Sequence, residues 1–402
     1  MIVPAPTRAA AVTGRHVFVL CALVAFLDGF DTQSIGPAAP VIAHQWGLSA
    51  AKLGPVFSAS QLGFLLGALL FGAAGDRYGR KRILIGTTTL FALATLGTVF
   101  APSYDMLILC RLLAGLGLGG ASPNFVSLAC EFAAPERRAK LVTWLWAAVP
   151  LGGMAGSFAS AALLPRAGWQ AVFLLGAVAP VPLLFVMARM MPESRELQAD
   201  GAAPVSTLFA DGMALRTTLL WLASFMTWTT LVVTALWMPA LLQRAGWSPS
   251  AAASMLALNN GGGVLGTLVV GALIGRVSAQ GALRLVLVGA GVFIALMGIA
   301  VGHVGSFALV AILAGCCASA AGGAMLAVSA SLYPPEVRAT AVGWALGFGR
   351  IGTVVGPAAV GVLAAGAWSV AAIYGAIASV AVVGAVLVHF LGIAVRPRLA
   401  TA

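Results

Sequence analysis

Charge is what this chain has least of. Of its 402 residues only 8% are Asp, Glu, Lys or Arg, against 61% hydrophobic. Soluble domains carry about 25% charged residues and disordered chains still fewer apolar ones, so both classes are excluded. Histidine (4 residues) and cysteine (5) are scarce too. Cys21, Cys110, Cys130, Cys316 and Cys317 fall in or at the ends of apolar runs without metal-ligand spacing, so they read as free, buried thiols and no metal is expected. No nucleophile elbow is present, nor a phosphate-cradling loop ahead of a Lys-Ser or Lys-Thr pair. That argues against an enzyme, a bound cofactor and nucleotide-driven work. Porin-like alternation is missing as well.

What the chain does contain is a series of apolar runs of about 20 residues, each near the ~30 Å that a helix rising 1.5 Å per residue needs to cross a bilayer. About twelve spans are predicted, near 15–41, 52–75, 82–101, 105–130, 140–164, 169–190, 215–242, 251–275, 284–302, 305–331, 339–364 and 368–392. Basic residues concentrate on one side: Arg15, the Arg77 to Arg82 cluster, Arg137, Arg138, Lys140, Arg189, Arg216, Arg276, Arg284 and Arg338. The other side holds only Lys52, Arg166 and Arg244. The positive-inside rule then places both termini in the cytoplasm of a multi-pass inner-membrane protein. The net charge of +11 is explained by this topology, so no nucleic-acid partner is expected. The first apolar run is long for a cleavable signal and reads as an uncleaved span.

The chain repeats itself with a period near 200. Pro135-Glu136-Arg137-Arg138-Ala139 recurs as Pro335-Glu336-Val337-Arg338-Ala339, and Gln61, Gly63, Gly67 and Arg77 correspond to Asn260, Gly262, Gly266 and Arg276 at offset 199. The expected fold is therefore all-α and membrane-embedded, with two pseudo-symmetric six-helix bundles, 1–200 and 201–402. Such a repeat predicts a substrate site near the midplane between halves that rock to expose it on alternate sides. A monomer is the expected unit.

The few charges inside the spans stand out because an ionised side chain at the centre of a bilayer costs about 2.5–3.5 kcal/mol even on lenient scales. Asp28 and Asp31 lie in the first span, about 20 and 24 Å up from Arg15, and Arg111 in the fourth lies about 9 Å in from Asp105, at a similar depth. Arg111 is expected to pair with one aspartate, leaving the other under-compensated to carry a transported proton. The alternative is a static ion pair that orients the two spans. Arg350, about 18 Å past Arg338, is the one charge in the middle of the second half. Its planar guanidinium suits a substrate carboxylate, or else a backbone carbonyl or an aspartate of the other half. Gln61, Asn260 and Trp228 are candidate cavity-lining residues, with Asn259, Trp144 and Phe225 behind them. Packing is the alternative for each aromatic.

Gly72-Ala73-Ala74-Gly75-Asp76-Arg77-Tyr78-Gly79-Arg80-Lys81 resembles the loop signature of the major facilitator superfamily, and Arg111 with Gly115 and both Pro-Glu-x-Arg segments extend the likeness along the chain. Asp28-Gly29-Phe30-Asp31 together with Gly349-Arg350-Ile351-Gly352 is similar to the aromatic acid:proton symporters. The resemblance implies uptake of benzoate- or hydroxybenzoate-like anions with protons by alternating access. It marks Asp28, Asp31, Asp76, Arg111, Glu131, Arg338 and Arg350 as functional, and it puts Asp76 against the start of the eleventh helix, near Ala339, as an inner gate. Arg77 and Arg80 belong to the same loop, although topology alone would select them. Glu131, Glu136, Arg138, Glu336 and Arg338 are candidates for salt bridges between the halves, with solvated loop charges as the alternative. The second-half copy of the signature, Gly271 to Arg276, lacks an acid, so any latch should be asymmetric. Val149-Pro150-Leu151-Gly152-Gly153 lacks a glycine that antiporters carry, which favours symport. The alternatives are a proton-coupled carrier of another organic anion or of a sugar, and a membrane sensor that does not transport.

Overall fold

A computed structural model describes residues 8–194, 204–210 and 212–395. Among these there are twelve α-helices and no strand: α1 (Arg8–Gln45), α2 (Leu53–Tyr78), α3 (Arg80–Val99), α4 (Tyr104–Glu131), α5 (Arg138–Val178), α6 (Pro180–Met190), α7 (Ala214–Arg244), α8 (Pro249–Val277), α9 (Ala279–Ala300), α10 (Val304–Ser331), α11 (Pro335–Ala365) and α12 (Val370–Val395). Eleven helical stretches are long and apolar enough to cross a membrane. One of them, Arg138–Met190, has 53 residues. Run straight it would reach ~80 Å, more than twice the hydrocarbon thickness.

It does not run straight. Gly168 takes φ 74° and ψ 177°, a conformation that a side chain would strain, and the chain turns back there. Phe30 of α1 accordingly lies against both Gly156 and Gly176, one on each side of the turn. Counting the two arms separately gives twelve spans. The cysteines are free as expected, but only Cys21 and Cys110 are buried. Cys130, Cys316 and Cys317 are half-buried.

The sequence repeat is also a repeat of packing. In the first half Gly63 and Gly67 of α2 press on the carbonyls of Leu112 and Leu116 of α4. In the second half Gly262 and Gly266 of α8 press on those of Ile312 and Cys316 of α10, each residue displaced by 199 or 200. A Cβ at any of these glycines would collide with backbone, and this is the close small-residue approach by which helices associate where lipid offers no hydrophobic drive. The result is two six-helix bundles.

The bundles touch at one end and part at the other. Away from the arginine-rich loops, Gly54 of α2 lies against Ala358 and Gly361 of α11, and Ser58 Oγ donates to the Val354 carbonyl at 2.6 Å. There too Ser250 Oγ of α8 donates to the Ala161 carbonyl of α5 at 2.7 Å, and Gln243 of α7 to the Pro37 carbonyl of α1 at 3.4 Å. Gly343 shares a face of α11 with Gly361, since about five turns separate them. Yet nothing lies within 4 Å of where its Cβ would be, and the same holds for Gly347. Gly271 and Gly275 of α8, beyond the contact of Asn260 with Gly153, are equally free of neighbours. A cleft between the halves therefore opens toward the face that carries the basic loops.

Candidate functional site

Midway along the bundles the structure assembles two charge sites. In the first, Arg111 Nη1 of α4 meets Asp31 Oδ2 of α1 at 3.2 Å, with both side chains almost wholly buried. Two threonines of α3 complete the set. Thr95 donates to Asp31 Oδ1 at 2.7 Å, Arg111 donates to Thr98 from Nε at 3.2 Å and from Nη2 at 2.8 Å, and Nη2 also reaches Thr95 at 3.3 Å. The Phe173 ring lies 4.8 Å from the guanidinium carbon. All of these partners belong to the first half. Every oxygen of Asp31 has a donor and the arginine's flat face has a π cloud, which is what a buried ion pair needs to offset its desolvation.

The second site straddles the halves. Asp28 is buried and accepts a hydrogen bond from Thr32 Oγ1 of its own helix at 3.2 Å. Among the described residues it makes no ion pair, and the cation that acts on it from further away is Arg350, on α11 of the other half. The Arg350 guanidinium carbon sits 4.2 Å from the ring centre of Phe64, on α2, and 4.9 Å from that of Trp228, on α7. One aromatic thus comes from each half. Trp228 Nε1 and Gln33 Oε1 are two of seven buried side-chain polar atoms without a partner among the described residues, the others being on Ser60, Thr88, Trp221, Thr234 and Tyr374. Unpaired buried polar atoms are costly, so these two keep hydrogen-bonding capacity to offer a further group. Gln33 packs beside Gly153 and near Asn260.

The remaining candidates divide. Gln61 is buried in α2. Asn260 is buried and donates to the Leu256 carbonyl at 3.0 Å, while Asn259 ties α8 to α10 through the Ala311 carbonyl at 2.9 Å. Trp144 is exposed, and Phe225 packs on Phe348 with ring centres 6.3 Å apart.

At the basic face the partners found among the described residues lie within one half. Asp76 is half-exposed and pairs with Arg80 at 3.1 Å instead of meeting α11. Arg80 also pairs with Glu131 at 3.4 Å, within the same half. Arg77 lies over the ring of Tyr78, 5.3 Å from its centre. Arg138 turns to the Ala133 carbonyl at 3.5 Å and Arg338 to the Tyr333 carbonyl at 3.4 Å, each within its own half. Glu136 is exposed, and the side chain of Glu336 lies outside the described residues. The reason is geometric: α2 and α11, and likewise α5 and α8, have diverged at this end, so charges there find partners close by in sequence.

Thr32, Gln33, Phe64, Thr95, Thr98 and Phe173 are absent from the set expected from sequence. Of these only Thr95 and Thr98 carry a signal in the sequence, being hydroxyls near the end of the third span, a short hairpin away from Arg111.

Residues 21–305 match the family described as Major Facilitator Superfamily. The chain is 34% identical over 376 residues to the 4-hydroxybenzoate transporter PcaK of Pseudomonas aeruginosa, covering 85% of this chain and 84% of that one. It is 38% identical over 347 residues to the 3-(3-hydroxy-phenyl)propionate transporter of Escherichia coli, covering 84% of each. Its fold is similar to that of a crystal structure of a D-xylose-proton symporter, with TM-score 0.78 at 17% identity over 93% of this chain and 96% of that one. These are transporters and not enzymes. With twelve spans in two matched bundles and a family match over most of its length, the chain belongs to the Major Facilitator Superfamily.

Proposed function

We propose that this transporter imports small aromatic carboxylates together with protons by alternating access, with Asp28 carrying the proton and Arg350 holding the substrate's carboxylate. The observation that supports this best is that Asp28 of one half, which makes no ion pair among the described residues, lies within the electrostatic reach of the Arg350 guanidinium of the other half. Ionised Asp28 and a substrate carboxylate compete for the same cation. Protonation of Asp28 releases Arg350, whose fork can then accept a carboxylate edge-on. The rings of Phe64 and Trp228 already flank the guanidinium and offer faces on which an aromatic substrate can stack. Trp228 Nε1 is free to donate to it. Gln61 and Asn260, buried on equivalent helices of the two halves, complete the proposed lining.

The likeness to carriers of 4-hydroxybenzoate and 3-(3-hydroxy-phenyl)propionate supports an aromatic acid as cargo. If the basic face is cytoplasmic, as the positive-inside rule has it, the open cleft is the inward-facing state that releases substrate. Closing it along the α2–α11 register, in which 54 meets 358 and 58 meets 354, would bring Asp76 opposite the first turn of α11. A carboxylate is favoured there by about 0.3–1 kcal/mol. Arg77, Arg80, Glu131, Glu136, Arg138, Glu336 and Arg338 would then exchange partners across the closed gate.

The test is uptake of labelled 4-hydroxybenzoate into proteoliposomes with acid outside. Accumulation above equilibrium that collapses with the pH gradient is the expected result. Entry that ignores the gradient would remove proton coupling, and absence of any competition by benzoates would remove the substrate class.

A further inference from the structure

On the outer flank of the first bundle, α1 and α6 enclose two recesses of about 390 and 350 Å³. They share Leu20 and Val186, so they form one continuous groove. Its mouth lies at the basic face, where Arg15 and His16 line it beside Met190. Its deep end is lined by Phe26 and Leu27. From Arg15 to Leu27 the helix rises about 18 Å. Half the ~30 Å hydrocarbon thickness is about 15 Å, so the groove runs from headgroup level to the bilayer midplane. That is the reach of one acyl chain of one leaflet. Buried Leu20 and Leu183 form its floor, which makes it a recess in the surface and not a flat lipid-facing wall.

The mouth is cationic. Besides Arg15, exposed Arg189 on α6 folds back so that its guanidinium carbon lies 3.8 Å from the Phe185 ring centre, one residue before Val186. Lys81 Nζ donates to the neighbouring Ala188 carbonyl at 3.1 Å. Among the described residues the carboxylate at this end of α6, Glu193, is engaged by Arg82 at 3.8 Å and by the Lys81 amide at 3.1 Å. A zwitterionic headgroup would bring its ammonium toward these cations, whereas an anionic one meets them with negative charge alone.

We propose that the α1–α6 groove is a binding site for one anionic phospholipid, with an acyl chain along Leu20 and Val186 and the phosphate held by Arg15 and Arg189. The chain end then supports α1 at Phe26 and Leu27, immediately before Asp28.

The test uses the purified full chain in detergent, titrated with phosphatidylglycerol or phosphatidylcholine of identical chains and followed by native mass spectrometry and thermal unfolding. Phosphatidylglycerol should bind more tightly and raise the midpoint further. Arg15→Gln and Arg189→Gln should each weaken it about fivefold, from the contribution of one basic residue at a membrane surface. Lys140→Gln, which removes an exposed charge of the same face elsewhere, should leave the preference intact. Val186→Trp, which fills the groove, should weaken both lipids. Equal binding of the two lipids by the unaltered protein would overturn the proposal. So would a Lys140→Gln loss equal to that of Arg15→Gln, or a Val186→Trp variant that binds both lipids as before.

Discussion

Asp28 and Asp31 stand three residues apart on the same helix, at nearly the same depth, and their surroundings are opposite in kind. Asp31 is matched within its own bundle by an arginine and a threonine at 3.2 and 2.7 Å. Asp28 has a threonine one turn along and, for countercharge, an arginine that belongs to the other bundle. In the proposed cycle the first site would move as a unit and the second would be pulled apart. On that proposal two carboxyls of identical chemistry do different work, one fixing the geometry of the bundle and the other changing its charge.

The sharpest way to break this comparison is to remove the cation of the fixed site. Arg111→Met leaves Asp31 buried without a partner and should cost about 3–5 kcal/mol of stability, visible as a lowered unfolding midpoint in detergent. The double variant Arg111→Met with Asp31→Asn should recover part of that loss, and an unchanged midpoint in the single variant would deny the site its structural role. Next in size is Arg350→Lys. Losing the planar fork should weaken apparent substrate affinity about 10- to 100-fold, the equivalent of roughly 1.5–3 kcal/mol for a hydrogen bond to a charged group. Unchanged affinity in competition assays would mean that Arg350 does not hold the substrate.

Asp28→Asn should abolish accumulation driven by a pH gradient while counterflow exchange continues. Asp31→Asn should impair both through stability. If Asp31→Asn alone uncouples transport, the two assignments must be exchanged. The smallest effect concerns the cleft. A cysteine placed at Gly343 should react with a membrane-impermeant maleimide applied to the basic face, and one at Gly361 should not, because only Gly361 is packed against the other half. Equal labelling would contradict the divergence of α2 and α11.

Much of this could be read from the chain because membranes make depth countable. A rise of 1.5 Å per residue put Arg111 level with the aspartates, and an offset near 200 paired glycines that the structure finds at equivalent packing points. What depth cannot give is azimuth. Phe64 beneath Arg350 and Phe173 beneath Arg111 were invisible, since phenylalanine faces lipid as often as anything else. Thr95 and Thr98 resembled ordinary helix threonines until α3 was seen to turn them toward α4. Asp76 pairs with Arg80 instead of α11 for a different reason: with α2 and α11 apart at the basic face, the cation it meets lies four residues along the chain.

The packing of α1 on α5 has a consequence for how a proton can travel. A side-chain carbon at Gly29 would collide with the Val149 carbonyl, and one at Gly152 with that of Phe26, so the two backbones touch directly where the acidic pair sits. Helices joined this closely cannot slide past each other. Asp28 is therefore carried on a stiff frame, and a proton proposed to bind there would change sides without the carboxyl ever making the crossing. Only the water it faces would be exchanged.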